Sequence, residues 1–133
     1  MQQRAVLFVC LHGSAKSVIA AEYFNRLAEA RGALLRAESA GVEPDSEVPA
    51  PVIAGLGAAG IDVREYVPRP VTRERLATAA YIVTLGCELT SEPRAETAEE
   101  WNDLPMVSDG FDAARDAIVR RVDRLLDRLT AAS

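Results

Sequence analysis

The most informative part of the chain is the stretch AVLFVCLHGSAKS, residues 5–17. Its first five residues are all apolar and include two valines and a phenylalanine, which is typical of a strand buried on both faces of a parallel sheet. A short turn containing Gly13 follows, and a helical pattern of apolar residues begins at Ser17. The stretch therefore predicts a strand, a tight loop and a helix, with Cys10 at the point where the strand ends.

Strand and helix patterns alternate along the rest of the chain. The remaining strands are predicted over residues 34–39 and 81–85 and around Trp101. The remaining helices are predicted over residues 51–59, over 73–79 after a Thr72 cap, and over 111–129 after a cap at Ser108 or Asp109. Residues 40–51 and the acidic segment 88–100 are expected to be surface loops. This alternation predicts an α/β fold with a mostly parallel sheet of about four strands.

Composition narrows the classes of function. A chain of 133 residues that is 49% hydrophobic and 26% charged fits one globular domain, expected to span residues 1–133. The net charge of −5 disfavours a nucleic-acid partner, because that charge repels phosphate backbones. No apolar run reaches the roughly 18–20 residues of a membrane span, and no secretory cleavage site follows residues 5–11. We therefore expect a cytoplasmic protein with no membrane partner. The two cysteines lack zinc-ligand spacing, so no metal is expected.

The loop after the first strand has the composition of an anion site. Backbone N–H groups at the start of a helix point at bound anions, and ligands of parallel sheets bind at the carboxyl ends of the strands. A cysteine beside the helix terminus and a lysine is favoured as a thiolate, to which Ser17 can donate a hydrogen bond. The expected oxyanion-binding residues are Leu11, His12, Gly13, Ser14, Ala15, Lys16 and Ser17. Taken alone, however, Cys10 also fits a buried strand-end residue without chemistry.

A nucleotide-binding loop is a different explanation for the Ala15-Lys16-Ser17 ending. That motif requires glycine at two positions that hold Cys10 and Ala15 here. Without those glycines the backbone cannot wrap closely around a phosphate chain. The sequence therefore excludes a nucleotide hydrolase of this class.

Several further motifs match one known family. They are Cys10 and Ser17 at the ends of the loop, SAG at 39–41, GID at 60–62, RPVT at 69–72 and VTLGC at 83–87. Together they resemble the low-molecular-weight protein tyrosine phosphatase superfamily over nearly the whole chain. The VTLGC motif is similar to the corresponding segment of the arsenate reductase branch of this superfamily. The resemblance implies a three-layer domain with a four-stranded parallel sheet flanked by helices.

The resemblance also implies a chemistry. Cys10 corresponds to the nucleophile, Lys16 and Ser17 complete the catalytic loop, and Cys87 corresponds to a resolving thiol. The substrate would be arsenate, phosphate or a phosphoester. No bound cofactor is implied, but a reductase would need an external thiol reductant, namely thioredoxin, glutaredoxin or a low-molecular-weight thiol. A thiol-donor protein is therefore an expected partner.

Three departures from the family pattern bear on activity. Lys16 stands where the family has arginine, and a lysine is a point charge rather than a planar, bidentate donor. Met106 lies in the stretch where the family has its Asp-Pro acid, which leaves Asp103 and Asp109 as candidate acids. No third cysteine follows Cys87. The only histidine, His12, can compensate by supplying a positive charge or a proton near neutral pH.

These observations leave three functions open. The first is an arsenate reductase-like enzyme in which Cys10 attacks arsenate and Cys87 resolves the adduct. The second is a phosphatase acting on phosphotyrosine or a small phosphoester, which would need the general acid that is missing here. The third is a non-catalytic protein that binds an oxyanion through Lys16 and the loop amides.

Overall fold

The computed structural model describes residues 4–87 and 99–131. Within them, four parallel strands form one sheet in the order β2-β1-β3-β4. The strands are β1 (Arg4–Cys10), β2 (Leu35–Gly41), β3 (Tyr81–Thr84) and β4 (Glu99–Glu100). The predicted four-stranded parallel sheet is confirmed. The long strand β1 pairs with both β2 and β3, so its carboxyl end at Cys10 lies inside the sheet.

Helices cover both faces of this sheet. They are α1 (Lys16–Ala30), α2 (Ala50–Ala58), α3 (Arg73–Thr78) and α4 (Phe111–Ala131). Helices α1, α2 and α4 contribute to the larger core cluster, and Leu76 of α3 to a smaller one. The predicted three-layer architecture is therefore confirmed. No described helix is both long and apolar enough to cross a membrane.

The alternation of side chains along β1 explains why its sequence is continuously apolar. Val6, Phe8 and Cys10 belong to the larger core cluster, whereas Leu7 and Val9 belong to the smaller one. All five are buried, because both faces of the strand are covered. The same alternation gives Cys10 the face on which α1 lies.

The structure corrects several boundaries: β3 ends at Thr84 and not at residue 85, β4 lies just before Trp101, and two further corrections concern β2 and the start of α4. Strand β2 continues to Gly41, two residues beyond the prediction, because Cys10 pairs with Gly41 and the Gly41 N–H donates to the Arg69 carbonyl at 2.8 Å. Ser108 and Asp109 do not begin α4 directly. They lie in a single 3-10 turn over Val107–Asp109, and Gly110 separates this turn from the helix.

Two other predictions have different outcomes. The predicted Thr72 cap is confirmed, since the Thr72 hydroxyl accepts a hydrogen bond from the Arg75 N–H at 3.1 Å. The predicted exposed loop over residues 88–100 lies outside the described residues, apart from Glu99 and Glu100, which form β4.

Candidate active site

The loop between β1 and α1 forms one wall of a cavity of about 430 Å³. Six of the predicted site residues line it: Cys10, Leu11, His12, Ser14, Ala15 and Lys16. The remaining lining residues come from other parts of the chain: Asp45, Pro49, Pro51, Val52, Leu85, Gly86, Met106, Val107 and Ser108. The loop that the sequence singles out therefore opens onto a pocket large enough for a tetrahedral oxyanion.

Cys10 is held in a chain of buried hydrogen bonds. Its Sγ lies 3.0 Å from the Ser17 Oγ, which lies 2.7 Å from the Ser39 Oγ. Ser17 is fully buried, and Cys10 and Ser39 are only 6% and 5% exposed. A hydroxyl at this distance can donate to a thiolate sulfur and so stabilise its charge. Ser17 does not line the cavity, but it contacts the sulfur of Cys10, which does.

Two glycines fit the loop against the end of β2. Gly13 has a φ of +61°, a left-handed backbone conformation that favours glycine. A Cβ atom on Gly41 would lie 2.6 Å from the Gly13 nitrogen, closer than real Cβ atoms approach. Two backbone hydrogen bonds join the same two segments, from the N–H groups of Val42 and Glu43 to the carbonyls of Cys10 and Leu11. The SAG motif thus supplies the surface that the predicted oxyanion loop contacts.

Asp45 is a site residue that the sequence analysis missed. Its Oδ2 accepts a hydrogen bond from the buried Ser14 hydroxyl at 2.7 Å, and its Oδ1 lies 3.5 Å from His12 Nδ1. The backbone also fixes it, because the Asp45 N–H donates to the His12 carbonyl at 3.0 Å. Asp45 falls in a stretch predicted only as a surface loop. One signal could have indicated it: a serine buried in the loop, such as Ser14, needs a hydrogen-bond acceptor nearby.

Lys16 also lines the cavity and is the first residue of α1. Its Nζ donates to the Met106 Sδ at 3.9 Å and lies beside Gly86. Across the described ranges no carboxylate forms an ion pair with this ammonium group. Its charge is therefore available to an anion in the pocket, although a thioether rather than an acid lies next to it.

Cys87 lies near Cys10 but on the other face of the sheet. Its Sγ donates to the Val9 carbonyl at 3.5 Å, and its side chain packs against the smaller core cluster, whereas Cys10 belongs to the larger one. Both cysteines are free thiols. Burial, and secondarily the charge of the neighbouring Cys10, raises the pKa of Cys87 to about 11. Cys87 is thus held as a neutral thiol where it lies.

The structure does not place the two candidate acids in the pocket. Asp103 accepts a hydrogen bond from Arg121 at 2.5 Å, and this contact lowers the pKa of the Asp103 carboxyl, which favours the ionised form. Asp109 lies in the turn Val107–Asp109, whose other two members line the cavity while Asp109 does not. Asp45 is the one carboxylate that lines the pocket among the residues described. In that same part of the chain no group of three potential metal ligands occurs.

Comparisons with known proteins agree with this geometry. The family described as low molecular weight phosphotyrosine protein phosphatase matches residues 5–117. A putative arsenate reductase of Halobacterium salinarum is 30% identical over 94 residues, which are 69% of this chain and 66% of the relative. The crystal structure of an arsenate reductase from Archaeoglobus fulgidus is 30% identical, with a TM-score of 0.73 over 92% of this chain and 98% of that chain.

A further solved structure extends the likeness of fold. It is a thioredoxin-dependent arsenate reductase of Corynebacterium glutamicum, with a TM-score of 0.85 and 24% identity. The match covers 99% of this chain but 64% of that chain. The chain thus spans about two thirds of the length of this neighbour and of the Halobacterium relative.

Proposed function

Because the chain belongs to the family of low molecular weight phosphotyrosine protein phosphatases, we propose that it is a cysteine-dependent enzyme of the arsenate reductase type. One observation carries the proposal: Cys10 lines an anion-sized pocket at the start of α1, its sulfur is hydrogen-bonded to Ser17, and a second free thiol, Cys87, lies near the end of β1. Leu11, His12, Gly13, Ser14, Ala15, Lys16 and Ser17 form the proposed oxyanion loop. The sequence match to arsenate reductases at 30% identity supports the choice of substrate.

In the first step the Cys10 thiolate attacks the arsenic of a dihydrogen arsenate ion bound in the loop. A sulfur–arsenic bond forms and an arsenic–oxygen bond breaks. The departing hydroxide takes a proton and leaves as water. The loop amides and the Lys16 ammonium stabilise the charge on the remaining oxygens.

In the second step the Cys87 thiol moves away from the Val9 carbonyl and gives its proton to an oxygen of the arsenic group, and its sulfur attacks the Cys10 Sγ. A disulfide forms and the sulfur–arsenic bond breaks, so that its electron pair reduces arsenic(V) to arsenic(III), which leaves as arsenite. The two thiols supply both electrons. Because the chain has only two cysteines, an external thiol must reduce the disulfide again, and a protein of the thioredoxin class would do so. The proposed location is the cytoplasm, where thiols are kept reduced.

Hydrolysis of a phosphoester is the second candidate. It shares the first step, with Cys10 attacking phosphorus, and water would then hydrolyse the thiophosphate. The family match favours it. Its alkoxide or phenoxide leaving group, however, needs a proton donor more than hydroxide does, and Met106 cannot supply one.

Parallel assays distinguish these functions. Arsenate reduction would be measured with thioredoxin, glutaredoxin and a low-molecular-weight thiol as donors, alongside hydrolysis of p-nitrophenyl phosphate. The proposal expects arsenite formation that requires Cys10 and Cys87, with weaker phosphatase activity that requires Cys10 alone. Phosphatase activity without arsenite formation would favour the second candidate. Phosphate binding with neither activity would indicate an oxyanion-binding protein.

A further inference from the structure

The pocket is lined by a histidine and an aspartate that lie close together. His12 Nδ1 lies 3.2 Å from the Glu43 carbonyl oxygen and 3.5 Å from the Asp45 Oδ1. Both neighbours accept hydrogen bonds and neither can donate one while Asp45 is ionised. Nδ1 must therefore carry a proton in this arrangement. The nitrogen left to gain and lose a proton is Nε2.

Asp45 is itself held firmly in place. Its second carboxylate oxygen accepts from the Ser14 hydroxyl at 2.7 Å, and Ser14 is 1% exposed. Its N–H donates to the His12 carbonyl. A carboxylate fixed from the buried side can orient an imidazole ring and stabilise the ring when it is positively charged. His12, by contrast, is about half exposed and lines the cavity.

We propose that His12 donates the proton to the leaving oxygen from Nε2, and that Asp45 and Ser14 are positioning residues that fix the ring. This inference rests on the proposed function and supplies the proton donor that the first step of the proposed reaction requires. In the first step hydroxide leaving arsenic takes the Nε2 proton and departs as water, while His12 becomes neutral with its proton on Nδ1. The other titratable groups that line the same cavity are Cys10 at the end of β1 and Lys16 on α1.

The first test reads the ring directly and needs no turnover. His12 is the only histidine, so its ring nitrogens can be observed by 15N NMR without ambiguity. The neutral ring is expected to carry its proton on Nδ1, and added inorganic phosphate is expected to shift the Nε2 signal more than the Nδ1 signal. Asp45→Ala is expected to increase the population protonated on Nε2. A neutral wild-type ring that carries its proton on Nε2 would overturn the inference.

The second test uses leaving groups that differ in their need for an acid. In His12→Gln, kcat/KM for phenyl phosphate is expected to fall about 100-fold. The fall for p-nitrophenyl phosphate is expected to be less than tenfold, because nitrophenolate leaves without much help. Asp45→Asn, which still accepts from Ser14, should show a smaller form of the same selective loss.

Glu47→Gln is the matched control, since it removes one negative charge from the same loop at an exposed side chain. It is expected to behave as the wild type. Equal losses on both substrates in His12→Gln would overturn the inference while leaving the proposed function intact. A wild-type protein inactive on arsenate and on both esters would overturn the proposed function as well. Thermal unfolding of each variant separates loss of the acid from loss of the fold.

Discussion

The backbone of Gly13 lies directly on that of Gly41, so that a Cβ atom on Gly13 would come within 2.6 Å of the Gly41 nitrogen. These glycines belong to different elements, the oxyanion loop and the end of β2. Cys10 pairs with Gly41 in the sheet, so the same contact places the nucleophile relative to its loop. The shape of the anion site therefore depends on a residue outside it.

Gly41→Ala is expected to destabilise the protein and deform the loop. The added methyl group meets backbone atoms, which cannot rotate away, so we expect a loss of about 1–3 kcal/mol in the free energy of unfolding. Phosphate affinity, measured by calorimetry, should fall as well. Gly57→Ala in α2 is the control, because a Cβ atom on Gly57 meets no atom within 4 Å. This substitution should raise the free energy of unfolding by about 0.5–1 kcal/mol. Unchanged phosphate binding in Gly41→Ala would contradict this role.

Ser17→Ala should slow the reaction more than its effect on stability explains. Ser17 bridges Cys10 and Ser39, and its removal leaves the Cys10 sulfur without its hydroxyl partner. Ser39→Ala breaks only the outer bond. Both variants are expected to lose about 1–3 kcal/mol of stability, because a buried group loses its partner. Only Ser17→Ala should lower kcat strongly. Equal effects of Ser17→Ala and Ser39→Ala on kcat would argue against a direct role of the Ser17 hydroxyl at the Cys10 sulfur.

Lys16→Arg tests the departure in the loop. A guanidinium binds an oxyanion through two parallel hydrogen bonds, so phosphate affinity measured by calorimetry should rise by about 1 kcal/mol. Lys16→Met, which keeps the length but removes the charge, should weaken it. Weaker binding in Lys16→Arg would mean that the site is shaped around the ammonium group beside Met106.

The pH dependence of Cys87 follows from its raised pKa. The pKa of about 11, compared with 9.0 without the protein environment, makes its thiolate fraction about 100-fold smaller at neutral pH. Site-resolved alkylation should therefore be slow at Cys87 and should continue to accelerate between pH 9 and 11. In that range the folded protein keeps the thiol proton that the unfolded chain loses, so stability should fall as pH rises. Cys87→Ser should reduce this fall, and an unchanged pH dependence would be inconsistent with the raised pKa.

The strands, their parallel pairing and the position of Cys10 could be predicted because they follow from local patterns. The continuous apolar run at Val6–Val9 requires a strand with two covered faces, and the structure has one. The extension of β2 to Gly41 could not be predicted from that segment. It depends on backbone bonds to Arg69 and Val71, which are distant in sequence.

The same limit applies to the site. The loop residues are adjacent in sequence, so their grouping was visible, whereas Asp45 reaches the pocket through backbone bonds between two loops. Asp103 and Asp109 are candidate acids only because they lie near Met106 in sequence. An arginine 18 residues away binds Asp103, and such a contact leaves no local pattern.

The most direct test of the central claim is to map the sulfur atoms after a single arsenate turnover. The reduced protein would be mixed with arsenate without a thiol donor, quenched in acid and analysed by mass spectrometry, with arsenite measured in parallel. The account predicts one arsenite and one Cys10–Cys87 disulfide per molecule in the wild type, and neither in Cys10→Ser. Cys87→Ser should stop at the Cys10 adduct. With a thiol donor added, arsenite formed by Cys87→Ser at the wild-type rate, together with no disulfide in the donor-free wild type, would contradict it.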